Sequence, residues 1–130
     1  DLRRILNYGH TVGHAIESLA MQSSAAAGGS VMTHGRAVAL GMIAEARIAE
    51  RRGLVGRAIA ERQRQLLERF GLPVRAAGLD LARCLEVMRH DKKARSGTLR
   101  FVLPDRMGHV VQRTDVPEES VRRALDALRT

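Results

Sequence analysis

The sequence predicts a mainly α-helical fold of about five helices with one short β-hairpin, and three observations predict it. Apolar residues make up 45% of the 130-residue chain, yet only two Phe and one Tyr are aromatic. Its core must therefore come from Leu, Val, Ile, Met and Ala, which suits packed helices better than a sandwich. Apolar positions recur every three or four residues in five stretches, the period of a helix with one buried face. Near residue 99 the period shortens to two, the mark of a strand.

The first stretch carries Leu2, Ile5, Leu6, Val12, Ile16 and Leu19 at helical spacing. Gly9 and Gly13 interrupt it, each costing roughly 1 kcal/mol against Ala in a helix interior. Two glycines four apart point to close approach by another helix or a ligand. From Met21 to Thr33 the Ser/Ala/Gly-rich run reads as a flexible loop. A second helix is expected from His34 to Arg52, with Val38, Met42, Ala46 and Ala49 on one face and Gly53 as its stop. A third runs from Val55 to Phe70 with Ile59, Leu66, Leu67 and Phe70 as its apolar face. A fourth spans Asp80 to His90, capped by Asp80, with Leu81, Leu85 and Met88 facing inward and Cys84 beside them in the core. Leu99, Phe101 and Leu103 then alternate with other residues, and Pro104 to Gly108 turns the chain back into Val110-Val111. A last helix starts near Pro117 and faces inward with Val121, Leu125 and Leu128.

At this length the chain reads as one domain, residues 1–130, large enough for a real core. The net charge is +8, from 22 Lys and Arg against 14 Asp and Glu. The excess is scattered along helices and lacks the interleaved aromatics of a single-strand binder, so nucleic acid is not expected. A non-catalytic basic helical module is the alternative reading from another class. No apolar run approaches membrane-span length, and neither a signal peptide nor a membrane partner is expected. One cysteine allows no internal disulfide, and a cytoplasmic setting fits. The chain opens on Asp1, directly in a helical pattern, as a piece of a longer protein would.

Chemistry concentrates in two segments. His10-Thr11-Val12-Gly13-His14 and Thr33-His34-Gly35 hold three of the five histidines. Neutral imidazole is the commonest protein ligand for zinc. His10 and His14, four apart, share a helix face. Position 11 is Thr and not the Glu of a zinc protease, which argues against that chemistry. Arg3 and Asn7 extend the same face, and Arg, Asn, His and His together suit a small anionic, hydroxyl-rich ligand. Two protein histidines are too few for tight zinc binding, so a further ligand, a carboxylate, must come from elsewhere. Lys92 and Lys93, with Asp91, follow the fourth helix and could hold a phosphate or carboxylate. His90 and His109 have no matching partners and read as surface residues.

Leu6 to Glu17, with its Asn7-Tyr8-Gly9-His10-Thr11-Val12-Gly13-His14 core, resembles the metal-binding segment of 3-dehydroquinate synthase. His34 to Met42 resembles the family's second metal segment. Gly71-Leu72-Pro73, Met88, Asp91-Lys92-Lys93 and Leu99 to Pro104 follow in the family's order. The chain departs from the family at Tyr8, where Phe is frequent, at Arg36, where Glu is common, and in a longer Gln22–Thr33 link. The resemblance implies the helical C-terminal domain of the dehydroquinate synthase-like fold, within the sugar-phosphate cyclase superfamily. It implies conversion of 3-deoxy-D-arabino-heptulosonate 7-phosphate to 3-dehydroquinate and phosphate in the shikimate pathway, with a divalent metal (zinc or cobalt) and NAD. It makes His10 and His34 metal ligands, His14 a catalytic and substrate-binding residue, and Arg3, Asn7 and Lys92 or Lys93 substrate-binding residues. NAD would be held mainly by an N-terminal domain absent from this chain, and no residue here is assigned to it. That absent domain is the expected partner, the full-length enzyme would be a homodimer, and this segment alone is expected to be inactive. A related cyclase acting on a different sugar phosphate is the alternative within the enzyme class.

Overall fold

The computed structural model describes residues 6–27 and 32–130. The described elements are α1 (His10–Ala27), α2 (His34–Arg51), α3 (Arg57–Arg69), α4 (Leu81–Ala94), β1 (Phe101–Arg106), β2 (His109–Arg113) and α5 (Glu118–Leu128). Five helices and one antiparallel hairpin match the expectation from periodicity.

Helix α2 is the centre of the fold, touching α1, α3, α5 and β1. Its sequence explains why. Ala37, Ala39, Gly41, Ala44, Ala46 and Ala49 are all buried, and small side chains let neighbouring backbones come close. The core joins Val12 and Ile16 of α1, Leu40 and Ile48 of α2, Cys84, Leu85 and Met88 of α4, Leu103 of β1, and Leu125 and Leu128 of α5. The deepest line of α2 is Leu40, Ala44 and Ile48, while Val38 and Met42 of the expected face are only half-buried. A helix covered from several sides does not bury a single stripe.

The tightest approach is between α2 and the start of α1. A methyl group on Gly41 would stand 2.0 Å from the Gly9 carbonyl oxygen and 2.7 Å from the Gly13 nitrogen. The two glycines four apart thus serve helix-to-helix contact. Gly9 also has φ +84°, a left-handed conformation that turns the chain into α1.

Four expectations need correction. Asn7 precedes α1 in a turn and does not share its face with His10 and His14. The loop expected from Met21 is helical through Ala27, since the alanines of that run are the strongest helix formers. Helix α4 continues to Ala94, so Lys92 and Lys93 sit in its last turn, where cations complement the helix dipole. On α3, Leu66 and Phe70 are exposed and only Ile59 and Leu67 lean on the core. Among the major contacts of the described residues α3 meets α2 alone, so only one edge of its apolar face is covered.

The hairpin pairs Phe101 with Arg113, Leu103 with Val111 and Pro104 with Val110, with an irregularity between Pro104 and Arg106. Strand β1 runs on to Arg106, so the turn is confined to Met107-Gly108. Caps fit the sequence: the Thr33 hydroxyl accepts from the Arg36 N–H and the Asp80 carboxylate from the Arg83 N–H. No helix among the described residues is long and apolar enough to cross a membrane.

Candidate metal and substrate site

Where α1, the start of α2, the end of α4 and the hairpin meet, they enclose a cavity of about 450 Å³. One wall is Asn7, His10, Thr11, His14 and His34; the other is Asp91, Arg95, Leu99, Arg100, Val102 and Gln112. The short turn ending at Gly9 aims the first turn of α1 at this space, and Thr33 caps α2 so that His34 opens it.

The His10 and His34 rings lie 5.4 Å apart centre to centre, tilted by 35°. Two imidazoles on one tetrahedral zinc, with bonds of ~2.0–2.1 Å, would have centres about 5 Å apart, so the pair fits a shared ion. His34 Nδ1 stands 3.1 Å from Glu17 Oε1. A carboxylate can only accept, so Nδ1 carries the hydrogen and Nε2 keeps its lone pair for a ligand. A Cβ added at Gly35 would meet nothing within 4 Å. Among the described residues no group of three or more His, Cys, Asp or Glu side chains could hold a metal ion. The donor set here is two imidazoles, short of the three or four ligands of a tight zinc site.

His14 lies one turn further along α1, its Nε2 3.9 Å from Asp91 Oδ2. That is beyond direct hydrogen-bond reach. Arg95, one turn beyond Asp91 at the C-terminal cap of α4, and Arg100, just before β1, line the wall opposite the histidines. Neither has an ion-pair partner among the described residues, and a cavity bordered by unpaired guanidinium groups suits an anion.

The structure brings together Asn7, His10, His14 and His34 of the residues singled out from sequence. Arg3 lies outside the described residues. Lys92 lines a neighbouring groove of about 60 Å³ with Arg89 and Glu118, and shares only Leu99 with the main cavity. Lys93 lines neither. Helical phase is the reason: Asp91 and Arg95, four apart, face the cavity, and the positions between them turn away. That spacing was the available signal for both. Arg100 and Gln112 carried none, because the hairpin is distant in sequence from the histidine segments. Arg36 is exposed and outside the cavity wall, so the departure from family pattern does not place its charge there.

Comparison with known proteins bears on this site. A family model described as 3-dehydroquinate synthase C-terminal matches residues 1–94. The 3-dehydroquinate synthase of Rhodopirellula baltica is 46% identical over 127 residues, which cover 98% of this chain and 32% of that protein. The same enzyme from a Synechococcus strain is 41% identical over 128 residues, covering 98% and 33%. The chain thus spans about a third of the relatives it matches. Among solved structures, a 2-deoxy-scyllo-inosose synthase complexed with carbaglucose-6-phosphate, NAD+ and Co2+ superposes with a TM-score of 0.75 at 27% identity, covering 95% of this chain and 33% of that one. A 2-epi-5-epi-valiolone synthase from Streptomyces hygroscopicus with NAD+ and Zn2+ bound gives a TM-score of 0.78 at 26% identity, covering 98% and 33%.

Proposed function

This chain belongs to the 3-dehydroquinate synthase C-terminal family, and from that premise we propose that it forms the metal- and substrate-binding part of a 3-dehydroquinate synthase. The whole enzyme would convert 3-deoxy-D-arabino-heptulosonate 7-phosphate to 3-dehydroquinate and phosphate, a carbon–oxygen lyase step of the shikimate pathway. The observation that carries the reading is the His10–His34 pair, 5.4 Å apart, on a cavity that also holds Asn7 and His14.

In this reading His10 and His34 hold a divalent metal, zinc or cobalt, with the remaining ligand supplied from outside the described residues. When bound, the ion would polarise the substrate hydroxyl to be oxidised, and NAD, held mainly by an N-terminal domain, would take the hydride. Glu17 keeps the His34 ring in the ligating tautomer. His14, backed by Asp91, is placed to hold or pass a proton at the phosphate end of the substrate. Asn7 would donate an amide hydrogen bond to the same end, and Arg3 would bind the substrate's anionic groups, while the Lys92–Lys93 pair, expected from the resemblance to share that task, turns away from this cavity. The reading places the enzyme in the cytoplasm as a homodimer, with no nucleic-acid or membrane partner.

A second reading, a cyclase acting on a different sugar phosphate, is favoured by the likeness to the two solved synthases. It is weaker, because the two relatives at 41% and 46% identity described above are 3-dehydroquinate synthases.

The test is co-expression of this chain with the N-terminal two-thirds of a related synthase, followed by an assay of phosphate release from the heptulosonate phosphate with NAD and zinc. Metal-dependent release that His10→Ala abolishes supports the proposal. No release from an assembled, folded complex, with turnover of a different sugar phosphate, moves the assignment to the second reading.

A further inference from the structure

One hydrogen bond ties the start of α1 to the residue before β1, and a buried carboxyl lies beside both segments. After His10, the Thr11 hydroxyl donates to the Arg100 carbonyl at 2.6 Å, across 89 positions of sequence. Before it, Glu45 of α2 reaches between the two segments. Its carboxyl is fully buried, and the backbone N–H groups of Gly9 and Val102 lie against it. Neither carboxyl oxygen closes a formal hydrogen bond. Gly9 precedes α1, where backbone N–H groups have no partner within the helix. Val102 lines the cavity and packs beside Tyr8. A buried carboxyl is costly in an apolar core, which makes Glu45 a poor choice as mere filling.

We infer that Thr11 and Glu45 are positioning residues that register the His10 turn on strand β1, so that the hairpin sets where one metal ligand stands. The inference rests on the reading of His10 as a ligand. It gives the hairpin, which lies beyond the stretch matched by the family model, a part in the site.

The experiment uses the 130-residue chain, with Thr11→Val, Thr11→Ser, Glu45→Leu and Glu45→Gln, and Val121→Ala in α5 as a control for lost stability. Amide hydrogen exchange and a Co2+ titration followed by visible absorption are the readouts. Thr11→Val should speed exchange at residues 9–12 and 101–103 together. It should also weaken Co2+ binding roughly 10-fold or more, the usual cost of losing support behind a metal ligand. Thr11→Ser should restore both. Glu45→Leu should act like Thr11→Val, and Glu45→Gln, which keeps an acceptor, should spare the site. Val121→Ala should lower the melting temperature and leave Co2+ affinity unchanged. Unchanged exchange at 101–103 in Thr11→Val and Glu45→Leu overturns the inference, as does an equal loss of Co2+ affinity in Val121→Ala. If two imidazoles alone take up no Co2+, the titration is made on the complex with the N-terminal part, and exchange at the two segments decides the ties in the chain itself.

Discussion

Glu17 of α1 and His34, the first residue of α2, meet at 3.1 Å, carboxylate to Nδ1, so one helix fixes the ring that opens the other. The pair is partly exposed, and its worth to folding is small, about 0–1 kcal/mol. Its worth to a metal is larger, because the carboxylate selects the tautomer. Glu17→Ala should therefore weaken Co2+ or Zn2+ binding about 10–100-fold with little change in melting temperature. Competition titration against a chromogenic chelator, beside a thermal melt, measures both. A large loss of stability with unchanged metal affinity would contradict this role.

Gly41 is the position of least tolerance. A Cβ there meets the Gly9 carbonyl oxygen at 2.0 Å, and both partners are backbone on packed helices. Gly41→Ala should cost at least the ~1–3 kcal/mol typical of overpacking, despite the better helix propensity of Ala. Urea unfolding gives the number; a variant as stable as the original would show that α1 and α2 can part freely.

Glu45 makes stability depend on pH. Burial, above all, raises its carboxyl well above the ordinary range, and the Gly9 and Val102 N–H groups only partly oppose this. The folded protein then binds a proton that the unfolded chain has released. Stability contributed by the neutral carboxyl is full below the unfolded value of about 4.5 and is lost as pH rises toward the folded one. Glu45→Gln removes this loss, so the variant should gain on the original from pH 5 to 8. Denaturant midpoints across that range test it; parallel curves would refute it.

Cys84 should be silent toward thiol reagents. It is fully buried between α4 and the core, and burial, with the Asp80 charge second, pushes its thiol up to about 12. Labelling at pH 8 should proceed only as fast as the fold opens, and should become immediate in denaturant. Rapid labelling of the native chain would place Cys84 at the surface.

Much of this fold was legible in the residues alone. Helix periodicity located α2, α3, α4 and α5 to within a few residues, and the change of period found the hairpin. The inward roles of Leu85, Met88, Val121, Leu125 and Leu128 were read correctly, as was the burial of Cys84. The nearness of Asn7, His10 and His14 was legible too, because their motif spans few residues, whereas His34 joins them through the packing of α2 on α1. The exposure of His90 followed from its lack of partners; His109, also partly exposed, pairs with Asp105 at 2.6 Å.

By itself, then, the sequence determined which stretches are helical, which residues are apolar enough to be buried, and where the histidines gather. Those are properties of three- and four-residue spacing and of side-chain chemistry, and they need no distant contact. Tertiary structure alone decided that Asp91 and Arg95 face the histidines while Lys92 and Lys93 turn aside, that Arg100 and Gln112 complete the cavity, and that Glu45 is sealed beneath it. It also left Leu66 and Phe70 of α3 uncovered. Each of these depends on which face of an element meets a neighbour far away in sequence. Helix packing sets that rotation through close approaches such as Gly41 on Gly9, and short-range periodicity carries no information about it.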